Sequence, residues 1–255
     1  MTWNLVQFNY TTFLFGASPP NPVPIIFTSA QTAGHLVTCQ IVFFNQNGSA
    51  GTSTTSFTGV TDTNSNGPGG NYKLAINFLS STPGVNAGQT ATWYAWNVVN
   101  AAANTNTVNA TWNNSGGSGS AIGYCIVIAE WSNTNGIFIS DPLDQTAQNI
   151  QDDGGADTNA SVSVTANAIN ELVLVYSGGD VGQTTVGTIG GTTATIVTNL
   201  GSFGIISEYG VSATTGSITC TTGPPDDGWQ IIGVTFKQPL NNIIYPTDVM
   251  FHGMI

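Results

Sequence analysis

The residues of this chain that could do chemistry are few, and most of them offer oxygen. Asp62-Thr63-Asn64-Ser65-Asn66-Gly67 sets oxygen ligands at alternate positions ahead of a glycine, as the first half of a calcium loop does. The twelfth position, where a bidentate glutamate would close such a loop, is Lys73. The other reading is a hairpin turn in which Asx side chains cap their own backbone. Asp152, Asp153 and Asp157 surround Gly154-Gly155 and form a second oxygen-rich turn, either a calcium site or a solvated acidic loop. Calcium, if bound, is expected at Asp62, Asn64 and Asn66 or at Asp152, Asp153 and Asp157, and never through histidine. No other cofactor is implied.

Sugar hydrolysis needs two carboxyl groups about 5–9 Å apart across a cleft. Glu130 in CIVIAEW and Glu208 in GIISEYG sit in apolar runs beside aromatic residues. Burial there would raise a carboxyl pKa toward that of a general acid. Spacing alone does not bring them together, and strand-end glutamates facing solvent fit the same runs. Of the two histidines, His35 opens the run HLVTCQIVFF and His252 lies near the end of the sequence. Neither Cys39 nor any serine stands in a nucleophile elbow. The stretches GPGGN and GGSGS lead into strands, so neither cradles phosphate at a helix start. No enzyme is expected. In ATWYAWNVV, Trp93 faces one way while Tyr94 and Trp96 face the other. One of these faces could stack on a sugar, as in carbohydrate-binding modules, or both could be core.

The elements that must position these residues follow from composition. The 255 residues hold 2 lysines, no arginine and 13 acidic residues, for a net charge of −11, and only 6% are charged. Phosphate neutralisation needs clustered cations, so nucleic acid is excluded as a partner, as is a polybasic membrane contact. Solubility must come from Ser, Thr, Asn and Gln. Short runs rich in Val, Ile, Thr and aromatics alternate with Gly, Asn, Ser and Pro, which reads as strands. They fall near 4–9, 24–28, 35–45, 55–62, 71–79, 91–99, 105–112, 121–131, 158–165, 170–177, 182–188, 193–199, 203–210, 215–221 and 228–237. No helical period is sustained, and short helical turns are expected at most, in 143–150. The expectation is an all-β chain: a large antiparallel β-sandwich, jelly-roll-like, with at least twelve strands and minimal helix.

Three parts are expected along the chain: an N-terminal strand and proline-rich lead-in over 1–24, a sandwich over 25–237 as one large domain or two abutting halves, and an apolar tail over 238–255. No repeat of fixed period is evident. The tail carries Ile243, Ile244, Tyr245, Val249, Met250, Phe251, Met254 and Ile255, and reads as a docking segment for a neighbouring subunit or as a final edge strand. Cys39, Cys125 and Cys220 read as buried free thiols, with one disulfide as the alternative. The opening MTWNLVQFNYTTFLF lacks the basic first region of a secretion signal, and no run is long enough to span a membrane.

TAGHLVTCQIVFF, SFTGVTDTNSNGPGGNYKL, TATWYAWNVV, AEWS, DPLDQTA, ASVSVTANAINELVLVYSGG and WQIIGVTFK follow in order. This run resembles an uncharacterised β-sandwich domain of phage virion proteins and secreted bacterial surface proteins. There, a "VTDsxGNxY" turn precedes a "WYAxNV" strand and a later "ANEL" strand. The resemblance covers about 25–240 and implies a fold but no chemistry; Gly67–Gly70 and the apolar tail depart from it. The expected function is a non-enzymatic virion structural protein, a capsid decoration or a tail or fibre component on the particle surface. It would bind neighbouring subunits and form a homo-oligomer. The alternatives are a carbohydrate-binding adhesin module of a secreted or cell-surface protein and, third, a glycoside hydrolase on a sandwich fold.

Overall fold

A computed structural model describes residues 3–13, 20–45, 56–79, 88–113, 122–151, 158–179, 185–200, 205–223 and 228–239. Seventeen strands are found there. The first eight are β1 (Trp3–Phe13), β2 (Val23–Ile26), β3 (Leu36–Asn45), β4 (Ser56–Asp62), β5 (Lys73–Leu79), β6 (Gly88–Trp96), β7 (Thr107–Asn113) and β8 (Ile122–Asn133). The rest are β9 (Leu143–Gln151), β10 (Ser161–Ala166), β11 (Leu172–Gly179), β12 (Thr185–Ile189), β13 (Thr192–Thr193), β14 (Thr195–Leu200), β15 (Ile205–Val211), β16 (Gly216–Gly223) and β17 (Trp229–Phe236). The only helical backbone among the described residues is one 3-10 turn, Pro68–Gly70. Residues 143–150, expected to turn helically, instead form β9. Their amide-rich sequence can stand in water at a sheet edge, and β17 supplies the partner.

Every pairing is antiparallel, and the strands form four sheets. Sheet I runs β2-β7-β4, sheet II β1-β8-β3-β6-β5, sheet III β14-β15-β11-β17-β9 and sheet IV β10-β16-β12-β13. They stack in that order. One apolar core lies between sheets I and II, with Phe27, Ile41, Phe57 and Ile126. A second lies between II and III, with Tyr94, Trp131, Tyr176 and Phe236. A third lies between III and IV, with Val162, Val175, Ile218 and Ile231. Sheets II and III are therefore covered on both faces. This explains why LVLVYSGG and WQIIGVTF are buried along their whole length. Sheet IV has one wet face, and SVSVTA alternates accordingly, with Val162, Val164 and Ala166 inward. Each fully buried aromatic or aliphatic side chain is worth about 1.5–3 kcal/mol.

The two halves share one topology. Replace β1, β8, β3, β6, β5 by β9, β17, β11, β15, β14 and sheet II becomes sheet III; replace β2, β7, β4 by β10, β16, β12 and sheet I becomes the body of sheet IV. With the two-residue β13 left uncounted, the first, eighth, third and sixth strands of each half lie together, opposite the second, seventh and fourth. That is the winding of a jelly roll, with the fifth strand moved beside the sixth. Two jelly rolls thus sit back to back, joined by residues 134–142. The lead-in is part of this body, since β1 pairs with β8 and β2 pairs with β7. Of the tail, only Gln238 and Pro239 lie within the described residues. No helix among the described residues is long and apolar enough to cross a membrane.

Candidate functional site

Asp62 ends β4, and its carboxylate gathers the turn that follows. It accepts the backbone N–H of Asn64 at 3.1 Å and of Asn66 at 3.0 Å, the Asn66 amide at 2.7 Å, the Tyr72 hydroxyl at 3.1 Å and the Asn106 amide at 3.0 Å. Asn66 turns its amide nitrogen to Asp62 and its oxygen to the backbone N–H of Val99 at 2.9 Å. Five donors already hold the carboxylate. These hydrogen bonds match the other reading of the motif, an Asx-capped turn that ties β4 to the loop before β7. Gly67 is required in it, because its φ is +86° and a Cβ would lie 2.2 Å from the Asn71 carbonyl oxygen. Asp152, Asp153 and Asp157 lie outside the described residues.

Glu130 and Glu208 are both completely buried, but in different places. Glu130, on β8, faces the layer between sheets I and II. Its carboxylate accepts from the Gln7 amide at 2.5 Å, the Thr32 backbone N–H at 3.0 Å and His35 Nδ1 at 2.6 Å. The donor in the His35 contact is set by the imidazole tautomer. Glu208, on β15, reaches toward sheet IV. It accepts only the Gly187 backbone N–H, at 2.7 Å, and its other oxygen has no partner. Burial pushes its pKa up to about 7. Sheets II and III both stand between the two carboxyls, and stacked sheets lie about 10 Å apart. The acid–base pair that a glycosidase needs is therefore absent at these positions.

The seam between the halves holds charges that sequence reading missed. The only two lysines of the chain both pair with aspartates of the segment Asp141-Pro142-Leu143-Asp144. Lys73 of β5 meets Asp141, which also accepts the Tyr94 hydroxyl at 2.8 Å and the Leu143 backbone N–H at 3.0 Å. Lys237, just past β17, meets Asp144 at 3.3 Å, and Asn167 donates its backbone N–H and side-chain amide to the same carboxylate. Burial would raise both aspartates, but these donors outweigh it and hold them below the usual carboxylate range. Glu171 is buried next to them. Burial, and then the charge of Asp144, push it up to about 7. The available signal was scarcity: in a chain with two cations, each one marks a place where charge is fixed.

Beside this seam is a hollow of about 470 Å³ lined by Phe138, Ile139, Pro142, Ile169, Lys237 and Pro239 among others. Of its lining residues, Ile139 is exposed at 64% and Ile169 at 57%. Asn97 binds this end together by exchanging two hydrogen bonds with the Phe138 backbone.

The candidate stacking residues Trp93, Tyr94 and Trp96 all lie on β6. β6 is the fourth strand of the doubly covered sheet II, so Trp93 enters the first core and Tyr94 the second. Trp96 is half-buried and stacks on Tyr94. Cys39, Cys125 and Cys220 are free and buried, one in each of the three cores, so no two can pair. Burial pushes the Cys125 and Cys220 thiols up to about 12, and that of Cys39 further. They are inert packing residues. No protein-family model matches the chain, and no curated protein or solved structure proves similar to it.

Proposed function

We propose that this chain is a non-enzymatic structural subunit of a virion, a capsid decoration or a tail or fibre component, which binds neighbouring subunits. The observation that carries this reading is the exposed apolar lining of the hollow beside the seam. Ile139 and Ile169 line it at 64% and 57% exposure, and their side chains offer contact area rather than chemistry. Contiguous exposed apolar residues rimmed by polar ones mark association surfaces. The candidate acid–base pair is split across two sheets, and the described thiols are sealed in cores, which favours scaffolding over turnover. The adhesin reading loses its aromatic row, because Trp93 and Tyr94 are core residues.

The test has two arms. Antibody raised to this chain is applied to particles released from the producing cells, and labelling at regular positions is expected. Sedimentation then compares the native chain with the Ile139→Asp, Ile169→Asp double variant, which is expected to lose self-association or particle binding. Unlabelled particles, together with a native chain that stays monomeric, would end the proposal.

A further inference from the structure

β8 faces β15 through Trp131 and Tyr209, whose ring centres are 4.9 Å apart, and β6 faces β17 through Tyr94 and Phe236 at 5.2 Å. Sheets II and III therefore lie strand over strand. β1 and β14 end them on one flank, β5 and β9 on the other. The two flanks are unlike. That of β5 and β9 carries Lys73 paired with Asp141 and Asp144 paired with Lys237. On the opposite flank, neither β1 nor β14 holds a charged side chain. Natural edges are guarded by charge, proline or shortness, and the 11-residue β1 has neither charge nor proline. No strand among the described residues pairs with its outer edge.

The cross-strand partners of β1 fix which way its side chains face. Gln7 and Asn9 stand opposite Glu130 and Ile128, on the face toward sheet I. There Gln7 donates to Glu130 and Asn9 to the Ile26 carbonyl at 2.8 Å. Phe8 and Tyr10 stand opposite Ala129 and Val127, both members of the second core. They project on the face that sheet III covers elsewhere, yet Phe8 is 41% exposed and Tyr10 44%. Among the described residues, the layer between sheets II and III is thus open at this flank. What completes it must bring apolar side chains at strand spacing and no charge. A second β1 does both. With a net charge of −11, two copies repel, and least where neither brings charge to the contact. A two-fold contact also needs a surface that complements itself. β1 offers one: beyond the irregularity between Leu5 and Gln7, residues Gln7–Phe13 pair with β8 without a break, and Tyr10 is their midpoint.

We propose that β1 pairs antiparallel with β1 of a second copy about a two-fold axis at Tyr10, joining two copies of sheet II into one continuous sheet. Tyr10 then lies opposite its own counterpart and Phe8 opposite Thr12 of the other copy. Edge backbone groups gain partners, and the aromatic rings of both copies close the open layer. The hollow is a separate surface, lined by Asp141 and Lys237 of the opposite flank, so this contact does not rest on the reading given to it.

Sedimentation equilibrium is expected to show a dimer for the native chain. The Phe8→Lys, Tyr10→Lys variant, which alters two exposed positions, should be a monomer with an unchanged melting temperature. Mild oxidation of the Tyr10→Cys variant should give a covalent dimer, because the axis sets the two thiols against each other. Leu79→Cys, on β5 and 53% exposed, is the control for random collision. The crosslink at position 10 should survive the added Ile139→Asp and Ile169→Asp substitutions, which separates this contact from any made by the hollow. A native chain that stays monomeric to about 1 mM overturns the proposal. So does a dimer that tolerates both lysines, or equal crosslinking at positions 10 and 79.

Discussion

The two jelly rolls share a strand order but not a way of treating buried charge. In the first half, Asp62 has five donors and Glu130 three. In the second half, Glu208 has the Gly187 N–H and one oxygen with no partner. Glu171, at the start of β11, accepts the Ala168 N–H at 2.9 Å and is likewise pushed up to about 7. A carboxylate ringed by donors is a fixed joint. One with a bare oxygen is comfortable only when protonated. The first half therefore rings its buried carboxyls with partners, and the second leaves Glu171 and Glu208 each with a bare oxygen.

The largest effect that can break this contrast is Asp62→Ala. It strands the buried Tyr72 hydroxyl and Asn66 and Asn106 amides, and should cost about 3–5 kcal/mol in urea unfolding. A loss below about 1 kcal/mol would mean that the turn holds itself. Next is Glu130→Gln, which turns an amide toward donors that need an acceptor and should cost about 1.5–3 kcal/mol. Gly187, whose Cβ would lie 1.6 Å from the Thr221 carbonyl oxygen, shows how closely β12 approaches β16 where its N–H meets Glu208.

Glu208→Gln should do the reverse of Glu130→Gln. The carboxyls of Glu208 and Glu171 have an ordinary pKa of 4.5 and a folded value of about 7. Their contribution to stability is full below 4.5 and is lost as pH rises through about 7. Melting should therefore come at a lower temperature at pH 8 than at pH 5, by the equivalent of about 1–3 kcal/mol. Glu208→Gln should recover part of that loss at pH 8 and change little at pH 5. Asp141 and Asp144 work in the opposite sense: their pKa values are depressed below 3.8, so their contribution is present above it and fades as the medium becomes more acidic. A melting temperature that rises steadily from pH 5 to pH 8 would contradict this assignment. The smallest effect belongs to Lys237→Met, an exposed pair partner, at about 0.2–1 kcal/mol and weaker in high salt.

Much of the fold was legible, for identifiable reasons. Val-, Ile- and Thr-rich runs between Gly and Asn turns marked most strands, and their continuous burial is what made CIVIAEW and ELVLVY look apolar throughout. The same continuity hid the layer order, because a strand buried on both faces gives no sign of which sheet lies above it. It also put Trp93 and Tyr94 in cores where an aromatic platform could be read. β9 was misread because DQTAQNIQ lacks the β-branched alternation of a strand; its pairing comes from β17. The topological repeat leaves no trace in composition, as β1 is apolar where β9 is amide-rich. Asp62 was found by its motif, but whether an Asx cluster points inward to a cation or to its own backbone depends on distant residues, here Tyr72 and Asn106. Glu171 gave no local signal, since its partners lie on other strands.

The pairing of both lysines at the seam has a further consequence for proteolysis. Trypsin cuts only after lysine or arginine, so this chain offers it two bonds, 73–74 within β5 and 237–238 just past β17. A folded strand does not fit a protease cleft, so each cut requires local opening. The first cut times the release of β5 from the edge of sheet II, and the second times the release of the tail root from Asn135 and Asn170. One enzyme and one gel would thus clock two separate openings of an otherwise uncuttable body.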